Sequence, residues 1–328
     1  MLPRNKSVVI LTNSYDDHAH SLVPEIEKLG GKVYRIDFDR LSTHFSFSFL
    51  LNVKKPSFEC ETPVGSFASK KIDSIWYRRP YDTIFTKDSI DNAINSREQD
   101  ATIRSIADYF PKKTLIVDHP NIVRFASQRI TQLMIAKKMS LRIPDTLTTT
   151  SINQANSFYD KHQGNIIVKD IATTYIRLGN EAKSFFTTRV ENKSDLQLVK
   201  NCPTLLQEQI FKKAELRITI IGNKIFPIEF DSKQVKEAQV DFRKGIEKII
   251  KLPHKLVKLP LVIEKKLFKL LKFYGLHFGA IDMAITPEGE YVFFELNPAG
   301  QFLWLEDLTG VPLASEMAKF LMGAQKMD

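Results

Sequence analysis

The segment "VFFELNPAGQFLWLE" near the C-terminus carries two oxygen-bearing side chains at a spacing that suits metal binding. The run Tyr291 to Phe294 is apolar enough for a buried strand, and Glu295 and Asn297 follow it. Side chains two positions apart on a strand lie on the same face. Carboxylate and amide oxygens are hard ligands that suit Mg²⁺ held jointly with phosphates. The pattern predicts a metal site, although a solvated strand face can have the same spacing.

A third acidic side chain, Asp282, lies upstream in "GAIDMAITPEGEYVFFELN", which has the pattern of a β-hairpin. If the loop is the four residues Pro287 to Glu290, Asp282 lies directly opposite Glu295. Residues opposite one another in an antiparallel pair share a face. A loop one residue longer would turn Asp282 to the other face. With the short loop, we expect two carboxylates and an amide to converge.

The composition indicates an ordinary globular protein. The chain has 328 residues, 43% hydrophobic and 26% charged, which is enough for two or three compact units. Its two cysteines, Cys60 and Cys202, have no metal-ligand spacing and favour a reducing compartment. No apolar run reaches the length of a signal-peptide core or a membrane span. We therefore expect a cytoplasmic protein with no membrane association.

The formal net charge of +9 suggests an anionic partner. A lysine-rich surface without a specific partner has the same composition, and so does a protein that binds an acidic peptide or a phosphorylated small molecule. No zinc-finger spacing or RNA-binding aromatic motif is visible, so we expect no nucleic-acid partner.

The order of the elements predicts a mixed fold, α/β at the start and α+β afterwards. "KSVVILTNSYDDHAHSLVPEIEKLGGKVYRIDFD" reads as strand, helix and strand, a βαβ unit without a glycine fingerprint for dinucleotides. The later segments are rich in strands, and Gly222-Asn223 has the pattern of a two-residue hairpin turn. We predict three units: an α/β unit over residues 1–118, a central α+β unit over 119–203 and a C-terminal α+β unit over 204–328.

Several motifs resemble those of one enzyme family. "GLHFGAIDMAI" followed by "FELNPAGQFLWLE" is similar to the metal-binding end of the ATP-grasp ligases. Further segments follow the order of the ATP-grasp peptide maturases, which install side-chain ester or amide crosslinks in ribosomal peptides, as in microviridin and graspetide biosynthesis. They are "SIWYRRP", "RITQLMIAKKMSLRIPDTL", "IIVKD", "LLQEQI", "ELRITIIGNKIFPIEFDS" and "VDFR". The "WYRRP" segment and the "NPAGQFLWLE" tail point most narrowly to the maturases.

The resemblance implies an ATP-grasp fold with ATP between the central and C-terminal units. Such a ligase transfers the γ-phosphoryl group of ATP to a carboxylate, and a nucleophile then attacks the acylphosphate. Asp282, Glu295 and Asn297 would bridge Mg²⁺ to the phosphates. Lys169, in "IIVKD", matches the family lysine that contacts the ATP phosphates. Arg129 stands where the family usually has a phosphate-binding lysine, and the two side chains differ in geometry.

The resemblance also implies the remaining site residues. The segment "LLQEQI", with Gln207, Glu208, Gln209 and Ile210, would meet adenine through its backbone. Glu215 would accept hydrogen bonds from the ribose hydroxyls. Two arginines in polar or strand contexts could each be a structural ion pair, but a guanidinium also suits a phosphoryl group or a carboxylate. We assign the phosphoryl end to Arg217 and the peptide to Arg243.

The family acts on precursor peptides whose acidic cores are joined to Thr, Ser or Lys side chains after a leader segment has bound. We therefore expect an acidic ribosomal precursor peptide as partner, and the family suggests a homodimer. Two alternatives stay open. One is an ATP-grasp ligase that adds free amino acids to a peptide or protein. The other is a non-catalytic binding module on the same scaffold, which the intact set of Lys169 and the three metal candidates disfavours.

Overall fold

The computed structural model describes residues 6–40, 43–54, 56–79, 90–172, 175–178 and 181–323. In its N-terminal part, four parallel strands form a sheet in the order β2-β1-β6-β7, as the βαβ pattern predicts. A separate antiparallel sheet contains β3, β4 and β5. The elements are β1 (Ser7–Thr12), α1 (Asp17–Lys28), β2 (Lys32–Asp37), β3 (Ser46–Leu50), β4 (Ser57–Thr62), β5 (Gly65–Ala68), β6 (Ser74–Tyr77), α2 (Ile90–Ile106) and β7 (Leu115–Val117).

The central part contains a four-stranded antiparallel sheet in the order β12-β9-β13-β8 and a two-stranded hairpin, β10-β11. Strand β13 pairs with β8 and β9, so it lies in the central sheet although the predicted boundary places it in the third unit. The elements are α3 (Pro120–Ala126), α4 (Arg129–Lys138), β8 (Thr146–Thr149), α5 (Ile152–Lys161), β9 (Ile166–Lys169), β10 (Tyr175–Leu178), β11 (Glu181–Ser184), β12 (Thr188–Arg189) and β13 (Thr204–Glu208).

The C-terminal part contains a five-stranded antiparallel sheet in the order β16-β15-β14-β17-β18. Gly222 and Asn223 form the predicted turn, since Ile221 pairs with Lys224 and Gly222 has a φ of 58°. The elements are β14 (Ala214–Ile221), β15 (Lys224–Phe230), α6 (Ile246–Ile249), β16 (Lys255–Leu256), α7 (Leu261–Tyr274), β17 (Phe278–Ile285), β18 (Tyr291–Asn297), α8 (Leu303–Thr309) and α9 (Leu313–Leu321).

The two faces of the C-terminal sheet differ in chemistry. On one face, alternate residues of β14 and β17, such as Leu216, Ile218 and Ile281, pack against helices α3, α4 and α7 in one apolar cluster. Because successive side chains point to opposite faces, residues such as Arg217 and Asp282 lie on the other face. That face meets the central unit at one end and the N-terminal unit at the other, where Phe278 joins a second apolar cluster. The sheet therefore presents its polar end to the junction with the central unit.

The lysine-rich stretch after strand β15 forms α6, the two-residue strand β16 and α7. Across the described part of the chain, no helix combines the length and apolarity that spanning a membrane requires. The mixed α/β architecture with antiparallel central and C-terminal sheets is the predicted fold class.

Candidate active site

Strands β17 and β18 carry the candidate metal ligands and pair in an irregular register. The hairpin loop is Thr286 to Glu290, one residue longer than the short loop that the convergence required, because Ile285 pairs with Tyr291. A β-bulge compensates for the extra residue: Met283 pairs with Phe293, whereas Asp282 pairs with Glu295. A bulge inserts one residue into one strand and returns the following side chains to the required face.

The three predicted metal ligands lie within hydrogen-bonding distance of one another. The Nδ2 of Asn297 donates to Glu295 Oε1 at 3.0 Å and to Asp282 Oδ2 at 3.3 Å. Among the described residues, no group of three or more His, Cys, Asp or Glu side chains is arranged to hold a metal ion. A divalent cation here would have the two carboxylates and the side-chain amide of Asn297 as its oxygen donors. This all-oxygen donor set fits Mg²⁺.

Three cations neutralise the two carboxylates. Arg217 Nη1 donates to both oxygens of Asp282 at 2.8 Å. Arg129 Nη2 donates to Glu295 Oε2 at 2.9 Å, and its Nη1 lies 2.7 Å from Asp170 Oδ2. Lys169 Nζ is 3.9 Å from the same Glu295 oxygen. The positive charges therefore offset the two carboxylates within one site.

Burial and the neighbouring charges shift the pKa values of the two carboxyl groups in opposite directions. Burial and the charge of Glu295 outweigh Arg217 and raise the pKa of Asp282 to about 6. Burial also acts to raise the pKa of Glu295, but Lys169 and Arg129 hold that pKa well below its usual range. The pKa of Lys169 is lowered by burial despite the nearby carboxylate of Glu295. Charged groups at this depth are costly without partners, which is typical of a site that binds a charged ligand.

An open cavity of about 680 Å³ collects most of the predicted site residues. Its charged end is bordered by strands β9, β14, β17 and β18, and its apolar end by Phe242, Ile246 and Trp304. The predicted residues that line it are Arg129, Lys169, Glu215, Arg217, Arg243, Asp282, Glu295 and Asn297.

Comparison with known proteins identifies this arrangement. Residues 7–121 match the family model of the MvdD pre-ATP grasp domain. The chain superposes with a TM-score of 0.88 and 28% identity on the Chryseobacterium gregarium RiPP-associated ATP-grasp ligase, solved with ADP and a leader and core peptide, over 98% of both chains. RiPP denotes a ribosomally synthesised and post-translationally modified peptide. The chain shares its fold with these ATP-grasp ligases, and the likeness supports an ATP-dependent ligase.

Other solved structures agree with this assignment. The macrocyclase MdnC from Microcystis aeruginosa MRC, bound with the precursor peptide MdnA, matches with a TM-score of 0.83 and 28% identity over 97% of this chain and 99% of that chain. PsnB, at 15% identity and a TM-score of 0.75, shares the fold. No curated protein sequence matches the ligase significantly. The resemblance to the ATP-grasp peptide maturases is confirmed.

The predicted adenine segment of the ligase does not border the cavity. Gln207 is buried, and its Nε2 donates to Thr146 Oγ1 at 2.9 Å. Glu208 Oε1 lies 3.9 Å from Arg142 Nη2, and its Oε2 lies 4.0 Å from His162 Nδ1. The backbone contacts predicted for this segment, which continues through Gln209 and Ile210, remain predictions.

Gln207 nevertheless belongs to the face of the central sheet that carries Lys169. In the paired strands β9 and β13, Lys169 lies opposite Leu205, two residues before Gln207. Glu215, the predicted ribose ligand, lies across the junction and accepts from the buried Lys212 at 2.8 Å. The resemblance did not single out Lys212, although a lysine three residues before a carboxylate is a recognisable pair.

Three further residues of the site received no assigned role from the sequence. Arg78 of "WYRRP" is 1% exposed, and its Nη1 donates to the carbonyl oxygens of Ala299 and Gly300 in the loop after Asn297. The neighbouring Arg79 lines the cavity. Asp241 of "VDFR" is buried in the cavity wall, and its partner contacts are described below. Its position two residues before Arg243 was the only signal in the sequence.

Proposed function

We propose that the ligase is a peptide macrocyclase that uses ATP to join Glu or Asp side chains of a ribosomal precursor peptide to Thr or Ser hydroxyls or Lys amines. The observation that carries this proposal is the likeness over 98% of both chains to a ligase solved with ADP, a leader and a core peptide. The convergence of four carboxylates and five cations in one cavity supports it. The reaction needs a nucleotide site and a carboxylate site side by side.

The cavity residues fit both ATP and Mg²⁺. Asp282, Glu295 and Asn297 would hold the metal, and Lys169 and Arg129 would contact the phosphates. When bound, Mg²⁺ would neutralise phosphate charge and fix the geometry of the transferring group. Glu215 would accept hydrogen bonds from the ribose hydroxyls, and adenine would reach beyond the cavity to the segment Gln207 to Ile210.

The residues of the chain supply positioning and charge neutralisation. A substrate carboxylate oxygen attacks the γ-phosphorus of ATP, the bond to ADP breaks, and an acylphosphate forms on the peptide. A hydroxyl or amine then attacks the acyl carbon, loses its proton and expels inorganic phosphate. Arg217, on the floor of the site, would stabilise the phosphoryl oxygens, and Arg243 would orient the peptide carboxylate. Such preorganised cations contribute most of the rate acceleration in phosphoryl transfer.

The substrate class follows from charge. The ligase has a net charge of +9, which would attract an acidic core peptide and raise its encounter rate. Cys60 and Cys202 are both free thiols, which suits the reducing cytoplasm. We extend the proposal to a leader-dependent enzyme that works in the cytoplasm as a homodimer.

The test is intact mass spectrometry of a Thr- and Glu-rich precursor with its leader attached, incubated with the ligase, ATP and Mg²⁺. We expect the ATP-dependent loss of one or more waters, since each intramolecular ester or amide releases one. A gain in mass by whole amino acids, once these are supplied, would instead identify an amino-acid ligase. Unchanged mass across precursors from the neighbouring genes would contradict the macrocyclase proposal.

A further inference from the structure

Asp241 is a buried carboxylate in the cavity wall that receives four hydrogen bonds. Its side chain is 5% exposed. Arg243 donates from Nε to Oδ1 at 2.9 Å and from Nη2 to Oδ2 at 2.6 Å, and its backbone N–H donates to Oδ1 at 3.1 Å. The fourth donor is the backbone N–H of Thr187, which reaches Oδ2 at 2.9 Å. A carboxylate has about four acceptor sites, so this one is saturated.

The bidentate pair fixes the plane of the Arg243 guanidinium. A fork of two N–H groups on one carboxylate is geometrically specific in a way that a single ion pair is not. Burial acts to raise the pKa of Asp241, but the hydrogen bonds from Arg243 and Thr187 hold that pKa below its ordinary value. The same pairing raises the pKa of Arg243. Asp241 is therefore a stable anion whose geometry determines where Arg243 points.

The Thr187 contact also crosses the junction between two units. Thr187 directly precedes strand β12 of the central sheet, whereas Asp241 lies in the C-terminal part after strand β15. Two neighbouring contacts cross at the same place. Phe186 lies 5.6 Å, ring centroid to Cζ, from the Arg243 guanidinium, and Lys244 Nζ donates to Thr188 Oγ1 at 3.3 Å. Asp241 thus contacts both the central unit and the arginine of the site.

We propose that Asp241 is a positioning residue that couples the approach of the central unit, through Thr187, to the orientation of Arg243 over the peptide. This inference rests on the proposed function, because Arg243 is assigned there to the peptide carboxylate. When the two units part, Oδ2 loses the Thr187 N–H and the loop around Asp241 loses its tie to the central unit. Arg243 then keeps only its hydrogen bonds to Asp241. The site for the substrate carboxylate is therefore complete only when the two units are in contact.

The first experiment measures coupling without requiring product. Amide hydrogen exchange is followed at Thr187 in the wild type, in Asp241→Asn and in the matched control Glu237→Gln. Glu237 is an exposed carboxylate four residues away, paired with Lys248. We expect the Thr187 amide to exchange at least about tenfold faster in Asp241→Asn, because the charged acceptor is lost, and at the wild-type rate in the control. Equal exchange in all three would overturn the coupling.

The second experiment measures crosslinked peptide and phosphate release together. We expect Asp241→Asn to lower kcat by about 10- to 100-fold with a smaller change in KM for ATP, because a displaced Arg243 no longer orients the substrate carboxylate. The phosphate released per crosslink should rise. The double variant Asp241→Asn with Arg243→Lys should be no slower than the slower single variant, since one residue acts through the other. Independent, multiplicative losses would overturn the proposal.

The two experiments separate the inference from the proposed function. If the wild type yields no crosslinked peptide, the macrocyclase proposal fails while hydrogen exchange still decides the Thr187 contact. If crosslinking proceeds and Asp241→Asn has wild-type kcat and wild-type phosphate per crosslink, the function stands and the positioning role is wrong.

Discussion

The C-terminal sheet meets its two neighbouring units through junctions of opposite character. Towards the N-terminal unit, the buried carboxylate of Asp118 accepts from the backbone N–H groups of His277 and Phe278 at 2.8 and 3.0 Å. His18 Nε2 accepts from the N–H of Phe302 at 2.8 Å, beside a large apolar cluster. Towards the central unit, the contacts are charged side chains around an open cavity, as with Lys169 and Glu295.

The difference indicates which junction can move. Parting the first would expose apolar surface at about 25 cal/mol for each Å² and leave buried N–H groups unpaired. Parting the second would place charged groups in water, which solvates them well. We infer that the N-terminal unit is fixed to the sheet, and that the central unit closes over the nucleotide.

Substitutions in the charged junction should have their largest effect on turnover. We expect Glu295→Gln to lower ATP-dependent turnover by about 1000-fold or more, because it removes the negative charge of a proposed metal ligand that also pairs with Lys169 and Arg129. Turnover is measured as crosslinked peptide per unit time, and circular dichroism verifies the fold. The control is Glu290→Gln in the hairpin loop, whose exposed carboxylate pairs with Arg142 outside the cavity. Turnover of Glu295→Gln within tenfold of the wild type would remove the metal assignment.

Substitutions in the fixed junction should have their largest effect on the free energy of unfolding. We expect Asp118→Ala to lower the free energy of unfolding by about 3 kcal/mol, because it leaves the buried N–H of Phe278 and the partly buried N–H of His277 without an acceptor. Urea denaturation measures the change. Asp108→Ala, which removes an exposed partner of His119, should cost less than about 1 kcal/mol. Equal costs for the two variants would mean that the junction is not fixed by Asp118.

Arg78 connects the fixed junction to the chemistry. We expect Arg78→Met to lower kcat by about 10-fold to 100-fold, because the carbonyl groups of Ala299 and Gly300 lose their donor and the loop after Asn297 shifts. Arg78→Lys should recover part of this loss, since one ammonium can still donate to a carbonyl. Steady-state kinetics with saturating ATP makes the measurement. A wild-type kcat in Arg78→Met would show that the loop keeps its position without the guanidinium.

Asp16 gives the fixed junction a pH dependence. Burial acts to raise its pKa, but hydrogen bonding from His18 and the charge of Arg78 hold that pKa well below its ordinary value. A depressed folded-state pKa contributes stability above the unfolded-state pKa of about 4, and the contribution is lost as pH falls below it. The difference in unfolding free energy between wild type and Asp16→Asn should therefore shrink from about pH 5 to pH 3. A constant difference across that range would contradict the assignment.

The sequence predicted the elements of the site better than their exact alignment. Periodicity and the E-x-N spacing placed Asp282, Glu295 and Asn297 on one face, yet the predicted loop was one residue too short. The convergence survives because of the bulge at Phe294, and no local residue pattern distinguishes a bulged strand from a regular one. The orientation of β18 against its neighbours, not its own residues, determines where the extra residue goes.

The sequence could not predict which residues of different units contact one another. Asp241 and Thr187 are 54 residues apart along the chain, and nothing local to either predicts that they meet. Arg78 was visible as part of a motif, but its carbonyl partners lie more than 200 residues later, 221 positions away for Ala299. The side chains of Gln207 and Glu208 follow strand alternation, yet which face meets the cavity depends on how the central sheet packs.

The most direct test of the account follows one oxygen atom. The precursor is prepared with oxygen-18 in its acidic side chains and incubated with the ligase, ATP and Mg²⁺, and mass spectrometry reads both peptide and inorganic phosphate. If the carboxylate attacks the γ-phosphorus and a nucleophile then displaces phosphate from the acyl carbon, one labelled oxygen passes to phosphate for each water lost by the peptide. Water loss with unlabelled phosphate would contradict carboxylate phosphorylation and, with it, the role assigned to this cavity.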